Sequence, residues 1–423
     1  MSNFKKGIIM RIIPRRKVEI SLKEIYAIWR SIFLHDNPIN SKVLTFEKAF
    51  AHFIGVKYAL VVPSARVGLA VLLDALEFHP GDKIILSSYN YHVIPALIKL
   101  KGLTPVFVDI DPLTWNIDVS LIERSITPKT KAIIATHLFG QACDLEEILD
   151  ICKKYNLILI EDVAHACGAE YKNIKLGNFG DVAYFSFGTG KALVAFGGGM
   201  LVTNSDFLFE KIQNNLNKFK FLYNRYSPKA INKILAEFIG TTRIFFSLFV
   251  YPIIAFTNLI GSDFVDRLIE DKYVLEDGRI GKKIARFSEI QAAVGLEQLA
   301  RLKILNKKRS NYAHILTGLL KDIDDLKTPS VGKDRTHISL YYCIVTNQAK
   351  ALRKYLALRG VDTKRGSMRA CSSLKFFDSQ SRCTIAEKIS DNVIELPCYP
   401  SLTKKDIYYQ ANLIRRFFKK SKN

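Results

Sequence analysis

One lysine stands alone in a glycine-rich run: Lys191, within Ser186–Met200 (SFGTGKALVAFGGGM). A lysine after glycines can hold the phosphates of a nucleotide, or its amine can bond covalently to a carbonyl cofactor; it can also be a solvated loop residue. A phosphate-binding P-loop requires GxxxxGK[ST]. Here Phe185 occupies the place of the first glycine, and Ala192 follows the lysine where a magnesium-binding hydroxyl is needed. A dinucleotide fingerprint fails too, because Leu193 stands where the third glycine of GxGxxG belongs.

Covalent chemistry at a lysine needs partners, and the chain offers a set. Asp162 ends the run LILIED, Ser64–Ala65–Arg66 lies between an apolar run and a helical pattern, Tyr91 follows another strand end, and His165 comes three residues after Asp162. Singly, each has an ordinary explanation: a strand-end acid, an N-cap serine, a core tyrosine, a loop histidine. Together they match the needs of pyridoxal phosphate (PLP). That cofactor takes an amine for a Schiff base and a carboxylate to keep its pyridine nitrogen protonated. It also takes a phosphate cup of hydroxyls and backbone N–H groups at a helix N-terminus, and usually a flat side chain against the ring.

Such residues must be held at the ends of regular elements. Short β-branched runs at 58–64, 83–88, 104–110, 132–139 and 157–163 alternate with helical patterns at 65–77 and 144–156. This alternation predicts an α/β fold, a mostly parallel sheet with helices on both faces. Two further strands, 182–187 and 198–204, lie too close together for a crossover helix, so one of about seven strands should run antiparallel. Ser64, Ser88, Asp162 and Ser186 then fall at carboxyl ends, where open α/β sheets collect their chemistry. After a long amphipathic pattern at 287–323 come short strands near 338–345, a helix near 348–359 and a closing helix after 401–406. The expected division is a large domain, 1–285, with an apolar insertion about 215–280, and a long helix with a small α+β domain, 286–423.

The 423 residues carry a net charge of +22, with the basic residues spread along the chain and matching no nucleic-acid reading module. Phosphorylated substrates or an anionic membrane surface account for that charge, and no nucleic-acid partner is expected. Seven cysteines without a CxxC pair fit a reducing compartment and give no metal spacing, and GIIMRII at 7–13 is a poor secretory signal. A cytoplasmic protein is expected. Phe238–Ile260 carries one charge, Arg243, yet a single crossing would divide one fold between two sides of a bilayer, and Pro252 interrupts it. Two placements remain open: a hairpin buried in the protein or a dimer, or an element lying in the inner membrane face. Lys218, Lys220, Arg225, Lys229 and Lys233 just upstream suit the second.

The strings GDKIILSSYNYHVI, IEDVAHACGAEYKNIKLGNFGDVAYFSFGTGK, GGGMLVTN and SEIQAAVGLEQL resemble the DegT/StrS-type sugar aminotransferases, a PLP-dependent family of the aspartate aminotransferase fold (fold type I). The resemblance runs from near residue 14 to near residue 403. It implies that Lys191 forms the Schiff base and moves a proton, that Asp162 pairs with the pyridinium nitrogen, and that His165 contacts the ring. It further implies that Ser186, with the backbone of Ala65 and Arg66, binds the phosphate, and that Tyr91 stacks on the ring. Arg66 replaces the usual threonine of the phosphate turn, and FGGG (Phe196–Gly199) replaces GEGG. Ile284 stands where the family has an asparagine that reaches a neighbouring subunit, with Arg286 nearby as a substitute. The family's C-terminal histidine motif is not recognisable in 363–374, and the 238–260 segment is foreign to the pattern.

The implied activity is transfer of an amino group from an amino acid, glutamate, to a keto- or aldehyde-sugar, nucleotide-linked or lipid-linked, for cell-surface polysaccharide, by a homodimer. A sugar dehydratase of the same family is the alternative, disfavoured because those members resemble a swap of this lysine for histidine. A non-enzymatic regulatory protein on the same fold is the second alternative, disfavoured because Lys191, Asp162 and Ser186 are kept together.

Overall fold

The computed structural model describes residues 10–33, 41–218, 236–260, 285–332, 334–377, 379 and 381–421. Seven strands build its main sheet: β1 (Tyr58–Val62), β2 (Lys83–Ser87), β3 (Thr104–Val108), β4 (Thr130–Thr136), β5 (Ile158–Asp162), β6 (Val182–Ser186) and β7 (Gly199–Thr203). Their order is β1-β7-β6-β5-β4-β2-β3. Pairs from β6 through β3 are parallel, while β7 runs antiparallel to both β1 and β6. The antiparallel strand expected from the short 187–198 connection is therefore β7.

Successive residues of each strand feed opposite cores, as the period of two demands. Ile84, Leu86, Ile134 and Ile160 join the core under the Ala65–Ala75 and Val93–Leu100 helices. Ile85, Ile133, Leu159 and Phe185 join the core on the other face, with the Lys42–Ile54 and Leu145–Tyr155 helices. Both faces of the sheet are covered. That is why its strands read as continuous apolar runs.

Ser288 opens the long helix Glu289–Leu320 with a capping box: its hydroxyl accepts from the Gln291 N–H, and the Gln291 side chain accepts from the Ser288 N–H at 3.0 Å. Beyond it, strands Tyr342–Val345, Val393–Leu396 and Lys364–Arg365 form a small sheet covered by Ala349–Ala357 and Lys404–Ser421. The strand expected from 338 starts only at Tyr342. The preceding N–H groups of Ile338 and Leu340 are bonded to the carbonyls of Gly140 and Phe139 in the large sheet's loops. The 238–260 segment is helical, with a π turn at Phe246–Val250 between short α pieces. It lies on the surface against the Ala349–Ala357 helix and is not a hairpin buried in this chain.

Candidate active site

At the carboxyl end of β5, two consecutive carboxylates point to opposite sides of the strand. Glu161 is fully buried and accepts N–H groups from Gly177 (2.9 Å), Phe179 (2.8 Å) and Gly180 (2.7 Å), plus His137 Nε2 at 3.1 Å. His137 Nδ1 accepts the Cys143 N–H, so the proton of the neutral ring sits on Nε2 and is donated to Glu161. Burial pushes the Glu161 pKa up, but these donors outweigh it and leave the carboxyl below its ordinary value. Asp162 faces the other way with one formed bond, accepting from the Ala164 N–H at 3.0 Å. Burial raises its pKa; the charge of Lys191 and the neighbouring Tyr184 hydroxyl pull the other way. The Tyr184 contact is an approach and not a formed bond, because that buried hydroxyl has no partner at hydrogen-bond geometry.

Lys191 sits on the loop between β6 and β7. The loop is pinned by the Phe187 carbonyl, which accepts from Ala195 and Gly197 N–H groups, while Phe187 N–H donates to Gly198. Ala192–Ala195 are buried, and Lys191 beside them is half-buried. The return to β7 runs through left-handed backbone at Phe196, Gly197 and Gly198. His165 is buried with Nδ1 unpartnered, stacked on Phe139 and edge-on to Tyr341. Burial, then the charges of Lys191 and Lys364, hold it well below the usual histidine pKa, so the ring is neutral. The field of Lys191 thus reaches both Asp162 and His165.

On the other side of this loop, Ser64 caps the Ala65–Ala75 helix, its hydroxyl accepting the Val67 N–H at 3.2 Å. The helix start abuts β7 closely: a Cβ on Gly199 would lie 2.9 Å from the Ala65 nitrogen and 2.4 Å from the Phe185 carbonyl oxygen. Gly199 pairs with Ser186 in the sheet, so Ser64, Ala65, Arg66 and Ser186 gather at one corner. Arg66 and Ser186 are half-buried there.

A cleft with about 820 Å³ of empty space, open to solvent, leads to Lys191. Arg16, Lys17, Arg309 and Lys364 line it alongside Glu19 and Glu395, and the Tyr341 hydroxyl on its wall donates to the Gly190 carbonyl at 3.0 Å. Arg309 is buried and donates to the Asn306 side chain at 2.7 Å, with no carboxylate within ion-pair distance among the described residues. Burial lowers its pKa to about 10.

The sequence profile of the DegT/DnrJ/EryC1/StrS aminotransferases matches residues 26–239 and 263–415. The chain belongs to this aminotransferase family. GDP-perosamine synthase of Escherichia coli O157:H7 is 29% identical over 377 residues, covering 88% of this chain and 89% of the relative. Spore coat polysaccharide biosynthesis protein SpsC of Bacillus subtilis is 33% identical over 332 residues, covering 78% of this chain and 74% of the relative. Helicobacter pylori PseC, an aminotransferase involved in pseudoaminic acid biosynthesis, superposes with a TM-score of 0.76 at 23% identity, covering 97% of this chain and 100% of that one. The fold is that of the type I aminotransferases.

Within this DegT-family fold, the residues expected from the sequence separate into groups. The charge of Lys191 acts on both Asp162 and His165, and Ala65, Arg66 and Ser186 gather at one corner of the sheet. Tyr91 is half-buried, its N–H donating to the Asn90 side chain, and Asn90 in turn donates to Thr136, the sheet neighbour of Asp162. The Ser88 hydroxyl is bonded to Ser372 at 2.8 Å and ties the large sheet to the 363–374 segment. That segment adds Lys364 to the cleft and pairs Arg369–Ala370 with Tyr89–Asn90. Arg286 is exposed just before the long helix, and Ile284 lies outside the described residues. Glu161, Asn90 and Arg309 were not expected. Glu161 is hidden beside Asp162 in IED, and Arg309 reads as one more cation in the run NKKRS.

Proposed function

We propose that the chain binds PLP on Lys191 and transfers an amino group from glutamate to a keto- or aldehyde-sugar destined for cell-surface polysaccharide. The observation that carries this reading is Lys191 on the wall of a basic cleft, with its charge acting on the buried Asp162 and His165 behind it. The residues fit the cofactor. Asp162 is a buried carboxylate short of donors, which a protonated pyridine nitrogen would supply. The orphaned His165 Nδ1 is a buried polar atom aimed at a missing partner. The Ser64–Ala65 helix start, with Ser186 and Arg66, offers hydroxyls, N–H groups and a cation to a phosphate. When bound, PLP supplies the electron sink that makes the substrate carbon acidic.

The chain's own residues do the rest. Lys191 Nζ carries the proton away from the donor carbon and returns it on the far side of the transfer. Asp162 holds the ring nitrogen charged, while neutral His165 and Tyr91 fix the ring's orientation. The cleft cations receive an anionic substrate. Arg309, a buried planar fork lacking a carboxylate partner among the described residues, suits a carboxylate of the amino donor. A homodimer whose second subunit approaches through Arg286, and peripheral membrane contact through 238–260, belong to the same reading. Sugar-acting relatives such as GDP-perosamine synthase support the acceptor class.

The test is glutamate-dependent conversion of a panel of nucleotide-linked keto-sugars, followed by product mass. An aminated sugar formed with stoichiometric 2-oxoglutarate is expected, and abolished in Lys191→Ala. A deoxygenated product without glutamate consumption would show a dehydratase instead.

A further inference from the structure

The 243–260 segment has two unlike sides. Its inner side is docked: Phe246, Tyr251 and Ile254 are buried against Ala357 of the Ala349–Ala357 helix. The Arg243 guanidinium bonds Asp406 at 3.0 and 3.2 Å, a carboxylate that also accepts from Arg11 at 2.8 Å. Its outer side is bare. Ile244 is 77% exposed, Leu248 64%, Phe249 59%, Ile253 55%, Phe256 61% and Ile260 64%. The π turn at Phe246–Val250 adjusts the register so that these side chains share one side while the anchors keep the other. No charged residue occurs from Ile244 to Ser262.

The fold does not call for this face. The family profile matches up to residue 239 and resumes at 263, so the segment stands outside what the relatives share. Among the described residues no helix is long and apolar enough to cross a bilayer. We infer that the 244–260 face lies flat on an anionic lipid bilayer, as an apolar strip within a basic surround. Charge selects this occupant over a second copy of the chain. The two helices that carry the segment bear Lys350, Arg353, Lys354, Lys404, Lys405, Arg416, Lys419 and Lys420, besides Arg415, which is paired with Asp322. Their one acid, Asp406, is already bonded to Arg11 and Arg243. Two such surfaces repel across a two-fold axis, whereas anionic headgroups attract them.

Docking in this way sets the position of the cleft. Ile12 packs in the same small cluster as Phe246, and Arg16 and Lys17 line the mouth of the Lys191 cleft. Four residues of chain span at most about 14 Å, so the cleft wall at Arg16 lies within that reach of the segment's docked side. On the aminotransferase reading, which this last step rests on, an acceptor sugar held on a lipid phosphate would meet the cleft there.

The test is flotation of the full-length protein with vesicles of phosphatidylcholine containing phosphatidylglycerol, against phosphatidylcholine alone, at low and high salt. The protein should float with the anionic vesicles, less with neutral ones, and less at high salt. Phe249→Ser with Phe256→Ser, both at exposed sites, should weaken partitioning by roughly a hundred-fold while solution mass and amino transfer to a soluble acceptor stay unchanged. Leu113→Ser, an exposed apolar residue elsewhere, should have no effect. Failure of the wild type to float on anionic vesicles at low salt overturns the proposal. So does a fall in solution mass in the double variant, which would make the face a protein interface. Neither result touches the amino-transfer reading, which the soluble assay tests separately.

Discussion

Glu161→Gln perturbs the support beneath the site without touching Asp162. The wild-type carboxylate accepts four donors: three backbone N–H groups and His137 Nε2–H. A glutamine can keep its oxygen toward Phe179 and Gly180, but its NH₂ then faces the Gly177 N–H and the His137 N–H, donor against donor. His137 cannot switch tautomer cheaply, because Nδ1 already accepts from Cys143. Two buried donors lose their acceptor, at about 1–3 kcal/mol each, or roughly 2–6 kcal/mol in all. With an unfolding entropy near 2.1 cal/mol/K per residue, that lowers Tm by about 2–7 °C for cooperative unfolding of the whole chain. The pH dependence gives a second check. Glu161 has a depressed pKa, so its stabilisation is full above its ordinary value of 4.5 and is lost as pH falls through the lower folded value. The Tm gap between wild type and variant should therefore be widest near neutrality and narrow below pH 4.5. Calorimetry at several pH values measures both. An unchanged Tm at neutral pH, or a gap independent of pH, would refute the hydrogen-bond account of the β5 end.

Three further outcomes follow from the same geometry. Arg309→Met should raise KM for glutamate by about 10- to 100-fold with a smaller change in kcat, as expected for a lost charged hydrogen bond; it should not lower Tm, since it removes a buried cation that lacks a carboxylate partner among the described residues. Gly199→Ala places a methyl 2.4 Å from the Phe185 oxygen and 2.9 Å from the Ala65 nitrogen. It should weaken PLP retention in equilibrium dialysis and cost about 1–3 kcal/mol of stability, more if the backbone cannot give. Glu47, whose pKa burial raises from 4.5 to about 7 against its bond from the Val61 N–H, contributes most below pH 4.5 and loses that contribution as pH rises through 7. Glu47→Gln should match wild type in Tm near pH 4.5 and exceed it at pH 8.

The sheet was legible because both its faces are buried, which writes each strand as an unbroken β-branched run, and the short link between 187 and 198 betrayed the antiparallel β7. Lys191 and Asp162 stood out only as members of a set, an amine in a glycine-rich loop and a carboxylate at a strand end among several polar strand ends. What escaped was non-local. Gly199 reads as one of three glycines until β7 is laid against the Ala65 helix start. Glu161 and Asp162 look alike until the strand's period of two sends them to opposite sides. The strand expected at 338–341 was lost because its N–H groups serve the large sheet's loops. Hydrophobicity alone could not tell whether 238–260 hides or shows its apolar side chains; that depends on Asp406 and Ala357, a hundred residues and more downstream.

Borohydride reduction of the PLP-loaded protein, followed by peptide mass mapping, tests the central claim most directly. The account predicts a yellow protein that bleaches on reduction and yields a pyridoxyl group on the peptide containing Lys191, and neither in Lys191→Ala. A pyridoxyl group on a different lysine, or a protein that takes up no PLP, would contradict it.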